Sequence, residues 1–269
     1  MRYIPAFALI LLLVSCNNND APTRDPSIEP AYVGLEPPKN ITYTILAQHP
    51  HDTSAYTQGL ELFNGKLYEG TGDFENSSLR ITDWKTGTVV KKHLMGTDNI
   101  FGEGITIFKN KIYQLTWQSN VVYVYDVNNI DKPVNSFKWA SEGWGITNNG
   151  TDLIVSDGSA NLYFVNPVDF KVKNTIAVVD NNGSIDSINE LEFINGFVYA
   201  NVYQTNDIIK IEPESGHVVG KMSFPNLLNQ SEIVPGRTDY FNGIAYDSTT
   251  NTMLITGKRW PKLFEVKMN

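Results

Sequence analysis

Five residues recur at matching places along the chain: Gln58, Glu103, Trp144, Asn189 and Asn242, separated by 45, 41, 45 and 53 residues. Each stands near the start of a short apolar segment, and glycine adjoins four of them, as in Phe101-Gly102-Glu103-Gly104-Ile105-Thr106. One carboxylic acid, three amides and an indole suit a pocket that holds a polar ligand and moves a proton through a single side chain, Glu103. A second set, at the ends of the second strands, adds Trp117, Tyr203 and Lys258, with Asp157 nearby in the third repeat. The combined set has one acid, one base, amides and aromatic walls. Glycine on both sides of Glu103 removes side-chain bulk and lets a ligand or a neighbouring group come close. Trp117 and Trp144, taken singly, are equally well explained as packing residues between repeats. Glu103, Gln58 and Asn189 together at equivalent positions are not.

The elements that must position these residues are short strands. After an alternating segment at Ile41–Leu46 come five similar hairpins, at 57–68, 101–117, 143–155, 189–199 and 241–255. Asn64-Gly65, Asn149-Gly150 and Asn195-Gly196 mark three of the turns, because these residues accept the positive φ of tight hairpins. Two further strands follow each complete hairpin, for example Ser78–Thr82 with Thr88–Val90 and Val121–Tyr125 with Val134–Phe137. Four strands at a repeat of 40–45 residues make a β-propeller blade. The fifth unit ends after three strands, so Ile41–Leu46 is expected to supply its fourth and remove two open sheet edges. The sequence therefore predicts an all-β fold, a five-bladed β-propeller closed by its N-terminal strand. No segment carries a convincing helical stripe.

Composition narrows the class further. The chain has 269 residues, 41% hydrophobic, with a net charge of −8. That acidity argues against nucleic acid as a partner, since phosphate binding needs a basic face. The one cysteine, Cys16, closes an N-terminal stretch with Arg2, an apolar run and Leu13-Val14-Ser15-Cys16. The run is too short to span a bilayer and reads as a signal peptide. Its ending resembles a bacterial lipobox, which predicts lipidation of Cys16 and an exported lipoprotein anchored to a cell-envelope membrane; ordinary cleavage nearby is the alternative. Residues 17–40 hold five of the thirteen prolines without apolar periodicity, and predict a flexible tether ahead of a propeller domain at 41–269. The pair His49 and His51 lacks further His or Cys ligands nearby and is expected on a surface loop. No nucleophile elbow, zinc-binding His motif or phosphate loop is present.

Several segments together resemble one family. Tyr56-Thr57-Gln58-Gly59, Phe101-Gly102-Glu103-Gly104-Ile105-Thr106, Gln114-Leu115-Thr116-Trp117, Glu142-Gly143-Trp144-Gly145 and Ser156-Asp157-Gly158-Ser159 are similar to signatures of the plant and bacterial glutaminyl-peptide cyclotransferases. Asn189-Glu190-Leu191-Glu192, Tyr199-Ala200-Asn201-Val202 and Gly257-Lys258-Arg259-Trp260-Pro261-Lys262 continue the likeness in order, from about Ile45 to Val266. The resemblance implies a five-bladed propeller that cyclises an N-terminal glutamine of a peptide to pyroglutamate, releasing ammonia without a metal or other cofactor. It implies Glu103 as catalytic acid/base, with Gln58, Asn189, Trp117, Trp144 and Lys258 around the substrate and Tyr56 and Phe101 shaping the pocket. Tyr203 departs from the tryptophan often found at its position in the family, so a difference in substrate preference or affinity is expected there, with the chemistry unchanged. A propeller hydrolase built on a metal would need several converging carboxylates, and Glu103 is the only acid among the five equivalent positions. A surface-anchored propeller that binds peptides without converting them shares every feature but turnover.

Overall fold

The computed structural model describes residues 34–96 and 99–269. The stretch expected as a signal peptide, Cys16 and most of the expected tether, to residue 33, lie outside the described residues. Among the described residues are five blades, each built on four antiparallel strands, and a small two-stranded ribbon at Val179–Asp180 and Gly183–Ser184. Blade I is Thr57–Phe63, Lys66–Thr71, Ser78–Asp83 and Thr88–Leu94. Blade II is Gly102–Phe108, Lys111–Thr116, Val121–Asp126 and Asn135–Lys138. Blade III is Ile146–Asn148, Leu153–Ser156, Asn161–Val165 and Val172–Ala177. Blade IV is Ile188–Ile194, Phe197–Val202, Asp207–Ile211 and Val218–Ser223. Blade V is Phe241–Asp247, Thr252–Gly257 and Lys262–Met268, with Tyr43–Pro50 added antiparallel to the last of these as the outer strand.

The first strand of each blade is innermost, and these five strands touch in the circular order I, II, III, IV, V and back to I. Their residues are buried almost without interruption, as in Gly102–Phe108, whereas the outer strand Thr88–Leu94 alternates between exposed and partly covered positions. The apolar core divides into five clusters, each between two neighbouring blades. Tyr68, Leu79 and Ile81 of blade I, for instance, meet Ile105, Ile107 and Ile112 of blade II. Fully burying one such side chain contributes roughly 1.5–3 kcal/mol, so the ring is held by packing between blades, with no disulfide available in a one-cysteine chain.

Local chemistry explains the hairpins. Asn64-Gly65 and Asn195-Gly196 have positive φ at both residues, the two-residue turn that matches strand twist, and Lys109-Asn110 adopts the same turn without glycine. Asn149-Gly150 behaves differently. Only Gly150 has positive φ, and the Asn149 side chain instead accepts from the backbone N–H groups of Thr151 and Asp152 in a longer loop.

Two sequence expectations need correction. Lys39–Asn40, assigned above to the tether, pairs in parallel with the outer strand of blade IV, and the Ile41 side chain lies where Gly220 leaves room. Ordered sheet therefore begins before residue 41, because an exposed strand edge takes up the adjoining backbone. His51 is not on a surface loop. It is buried, with Nδ1 2.8 Å from the Trp260 carbonyl and Nε2 3.1 Å from Glu69 Oε1. Burial works against a charged imidazole there, but the Glu69 carboxylate and the carbonyl outweigh it and raise its pKa. His49 lies on the closing strand, 3.4 Å from Glu265.

Candidate active site

The inner strands of blades I, II, IV and V each carry a register shift at one place: Thr57/Gly59, Gly102/Ile105, Ile188/Leu191 and Phe241/Ile244. A β-bulge inserts one residue and re-aims the side chain beside it. Gln58, Glu103, Asn189 and Asn242 all fall within these bulges. In blade III the regular strand starts only at Ile146, and Trp144 sits just ahead of it, tied to Ser156 by its backbone N–H.

The glycines next to these residues have a purpose other than the one the sequence suggested. A Cβ on Gly104 would lie 2.7 Å from the Trp144 carbonyl oxygen, and one on Gly145 would lie 2.0 Å from that of Asn189. The glycines allow neighbouring inner strands to touch backbone to backbone around the ring; Gly104 N–H donates to the Trp144 carbonyl at 2.8 Å. The bulk they remove is bulk between blades.

Gln58, Glu103, Trp117, Trp144, Asn189, Tyr203, Lys258, Tyr56 and Phe101 together line one cavity of about 310 Å³. Asn242 is set apart from them. It is fully buried, and its Nδ2 donates to the Thr57 carbonyl at 3.1 Å and to Gln58 Oε1 at 3.4 Å, which steadies Gln58 from behind. Gln58 Nε2 in turn donates to Glu103 Oε1 at 3.0 Å. Asp157 also lies outside the cavity lining and accepts from Ser141, Ser159 and Tyr163.

Glu103 is 4% exposed, and burial holds its pKa well above the ordinary carboxylate range. Lys258 pulls it down and Glu142 pushes it further up. Lys258 is itself buried, which lowers its pKa against the opposing pull of Glu103 and Asp239. Its ammonium lies 4.8 Å from the centres of both the Tyr56 and Tyr203 rings and makes no ion pair with a described residue. Asn189 Oδ1 is buried without a hydrogen-bond partner among the described residues, so this amide has bonding capacity left for a ligand. The chemistry on offer is a proton-carrying carboxyl held above the ordinary carboxylate range by burial, a desolvated cation and an unengaged amide within aromatic walls.

Sequence reasoning passed over several residues. Asp239, on a loop outside the repeat, accepts the Tyr56 hydroxyl at 2.9 Å. Phe74 and Tyr240 extend the aromatic wall, packing on Phe101 and Tyr203 at 5.2 Å between ring centres in each case. Glu61, Glu190 and Glu192 also sit on inner strands, away from the cavity. Glu190 accepts backbone N–H groups of blades I and V, Glu192 accepts one of blade V, and Glu61 accepts the Thr106 hydroxyl. The signal for Glu190 and Glu192 was the motif Asn189-Glu190-Leu191-Glu192. Among the described residues, no group of three or more His, Cys, Asp and Glu side chains has a geometry able to hold a metal ion.

Comparison with known proteins gives a consistent result. The family described as glutamine cyclotransferase matches residues 9–268. An Arabidopsis thaliana glutaminyl-peptide cyclotransferase is 38% identical over 230 residues, 83% of this chain and 70% of the plant protein. The crystal structure of Myxococcus xanthus glutaminyl cyclase superposes with a TM-score of 0.80 at 31% identity, covering 86% of this chain and 98% of that one.

Proposed function

The chain belongs to the glutamine cyclotransferase family, and from that premise we propose that it converts the N-terminal glutamine of peptides to pyroglutamate through Glu103. The observation that carries the catalytic assignment is a single buried carboxyl group, raised in pKa, inside an aromatic cavity with a buried lysine and an unengaged amide.

The reaction joins the substrate's α-amino nitrogen to its own side-chain amide carbon and breaks the bond from that carbon to the amide nitrogen. Both reactants sit on one residue, so holding the folded-back conformer supplies much of the acceleration. Two proton movements remain. The amine, whose free pKa is about 7.7–8.0, must lose a proton, and the leaving nitrogen must gain one to depart as ammonia. Glu103 serves both, taking the proton from the amine and passing it to the leaving group. Gln58 engages Oε1, while Oε2 has no hydrogen-bond partner among the described residues and is the oxygen for the substrate. Lys258 or the Asn189 amide steadies the negative charge that develops on the carbonyl oxygen. Trp117 and Trp144 wall the glutaminyl chain and keep water out. No step needs a metal, and turnover is expected to survive a chelator.

Glu103→Gln keeps the hydrogen-bonding shape and removes the proton carrier. It is expected to leave the fold intact and to cost about 10²–10⁴-fold in turnover, the usual worth of general acid–base catalysis. Ammonia release from a Gln-initiated peptide measures this, and wild-type turnover in the variant would reject the assignment. A wild-type protein that binds the peptide and releases no ammonia would mark a binding propeller instead.

The Leu13-Val14-Ser15-Cys16 sequence supports a second part of the proposal, that the chain is exported and anchored to a cell-envelope membrane by a lipid on Cys16. Cys16→Ala would then move the protein from the membrane to the soluble fraction, and retention at the membrane would count against it.

A further inference from the structure

The Glu142 side chain does not line the cavity, yet it touches both tryptophans that do. Trp117, from blade II, donates its indole N–H to Glu142 Oε2 at 2.8 Å, and Trp144, ahead of blade III, donates to the same oxygen at 3.0 Å. Gln118 Nε2 occupies the other oxygen at 2.9 Å. The residue's own backbone is pinned in turn. A third indole, Trp139, packed in the core between blades II and III, donates to the Glu142 carbonyl at 3.0 Å. The next residue, Gly143, donates to the Thr116 and Trp117 carbonyls at 3.2 and 3.1 Å. A Cβ on Gly143 would lie 2.7 Å from the Thr116 oxygen, so glycine is what lets this segment lie against blade II. Three of the five tryptophans thus converge on one residue.

We propose that Glu142 is the positioning residue for the cyclisation: one carboxylate oxygen sets the orientation of both pocket indoles and, through them, of the folded-back glutaminyl chain. This rests on the cyclotransferase reading of the site. An indole on a strand end rotates about two side-chain torsions, and the slot between two indoles on different blades keeps its width only if both are fixed to a common point. A shared charged acceptor does this more firmly than two separate neutral ones. Glu142 meets the requirement because its burial is outweighed by the hydrogen bonds from Gln118, Trp144 and Trp117, which hold its pKa below the ordinary value and keep it ionised. The ionisable groups whose charge couples to it are Asp157 and Glu103.

The test compares Glu142→Ala with Glu142→Gln in the full chain. The alanine variant loses the acceptor. The glutamine variant keeps an amide oxygen for the indoles and loses the charge. Peptide affinity is read in a Glu103→Gln background, where no turnover intrudes, alongside KM, kcat and the near-ultraviolet circular dichroism of the tryptophans. Glu142→Ala is expected to weaken peptide affinity and raise KM by about 10–100-fold, the range for lost hydrogen bonds to a charged group, and to flatten the tryptophan dichroism. Glu142→Gln is expected to restore most of the affinity and dichroism, while the acid limb of the kcat/KM profile moves to lower pH because a charge that raises the Glu103 pKa is gone. Wild-type affinity and dichroism in Glu142→Ala, whatever its melting temperature, would overturn the proposal. So would a glutamine variant as impaired in affinity as the alanine one. Should Glu142→Ala fail to fold, Glu142→Asp, which withdraws the carboxylate by one methylene, takes its place with the same expected and overturning results. Absence of ammonia release by the wild type would fail the cyclotransferase reading alone, since the affinity comparison does not depend on turnover.

Discussion

Replacing Glu190 by alanine tests how the ring is held at its axis. The Glu190 side chain is 1% exposed; its two oxygens accept the backbone N–H of Leu60 in blade I at 3.0 Å and of Ile244 in blade V at 2.9 Å. Alanine leaves both N–H groups buried without an acceptor. Each such loss costs about 1–3 kcal/mol, so the two together cost about 2–6 kcal/mol. That is a large part of the 5–15 kcal/mol typical of a folded domain. Glu190→Gln keeps one accepting oxygen and is expected to lose about half as much. The pH dependence sharpens the test. Burial raises the Glu190 pKa well above its unfolded value, the N–H bonds oppose this and Glu61 adds to it. A carboxyl group raised in the folded state stabilises fully below the unfolded pKa and loses that contribution as pH climbs through the folded one. The gap between wild type and Glu190→Ala should therefore be wide near pH 4 and narrower near about pH 9. Glu192 is raised and Glu61 is pushed up to about 7, both chiefly by burial, and they bend the wild-type curve in the same direction. Urea titrations at the two pH values measure this. A loss below about 0.5 kcal/mol, the range of an ordinary surface change, or a gap that widens with pH would refute the reasoning.

Lys258→Met removes the charge that lowers the Glu103 pKa, so the acid limb of the kcat/KM profile should move to higher pH; an unmoved limb would mean that the two groups do not interact. Gly145→Ala forces a methyl group to within 2.0 Å of the Asn189 carbonyl, a clash with backbone that no rotamer relieves, and about 3 kcal/mol of stability should be lost together with peptide affinity, as calorimetry on the Glu103→Gln background would record. His51→Ala takes from the buried Glu69 carboxylate its ion-pair partner, leaving the Thr57 hydroxyl and the more distant Arg80 charge, and should cost about 3 kcal/mol near neutral pH. The raised His51 pKa gives stability that is complete below about 6.5 and lost above the folded value, while the lowered Glu69 pKa gives stability present above about 4.3 and lost below it. The difference between wild type and His51→Ala in thermal melts should accordingly peak between those two limits, and a difference flat in pH would discard the ion pair.

The hairpins were legible because their chemistry is local. Alternating apolar residues and Asn-Gly turns specify two-stranded units, their spacing specifies blades, and a missing fourth strand specifies where the N-terminal segment goes. The cavity-lining positions were legible for the same reason, since a repeat places equivalent residues at equivalent points around an axis. Asn242 shows the limit of that inference. It holds the right place in the repeat, but the bulge of blade V turns its amide toward Gln58 and away from the cavity. His51 was misplaced because its partners, Glu69 and Trp260, come from blade I and from the far end of the chain.

The sequence by itself determined the all-β class, the count of blades and most of the repeat-equivalent side chains that gather at one cavity, because each of these follows from a period written into the chain. Only the tertiary structure decided what those side chains are tied to. Glycines that looked like openings for a ligand are points where strands of adjacent blades touch, and Glu142 binds indoles carried by two different blades. Such contacts join residues that share no local pattern, and they exist only once the ring has closed.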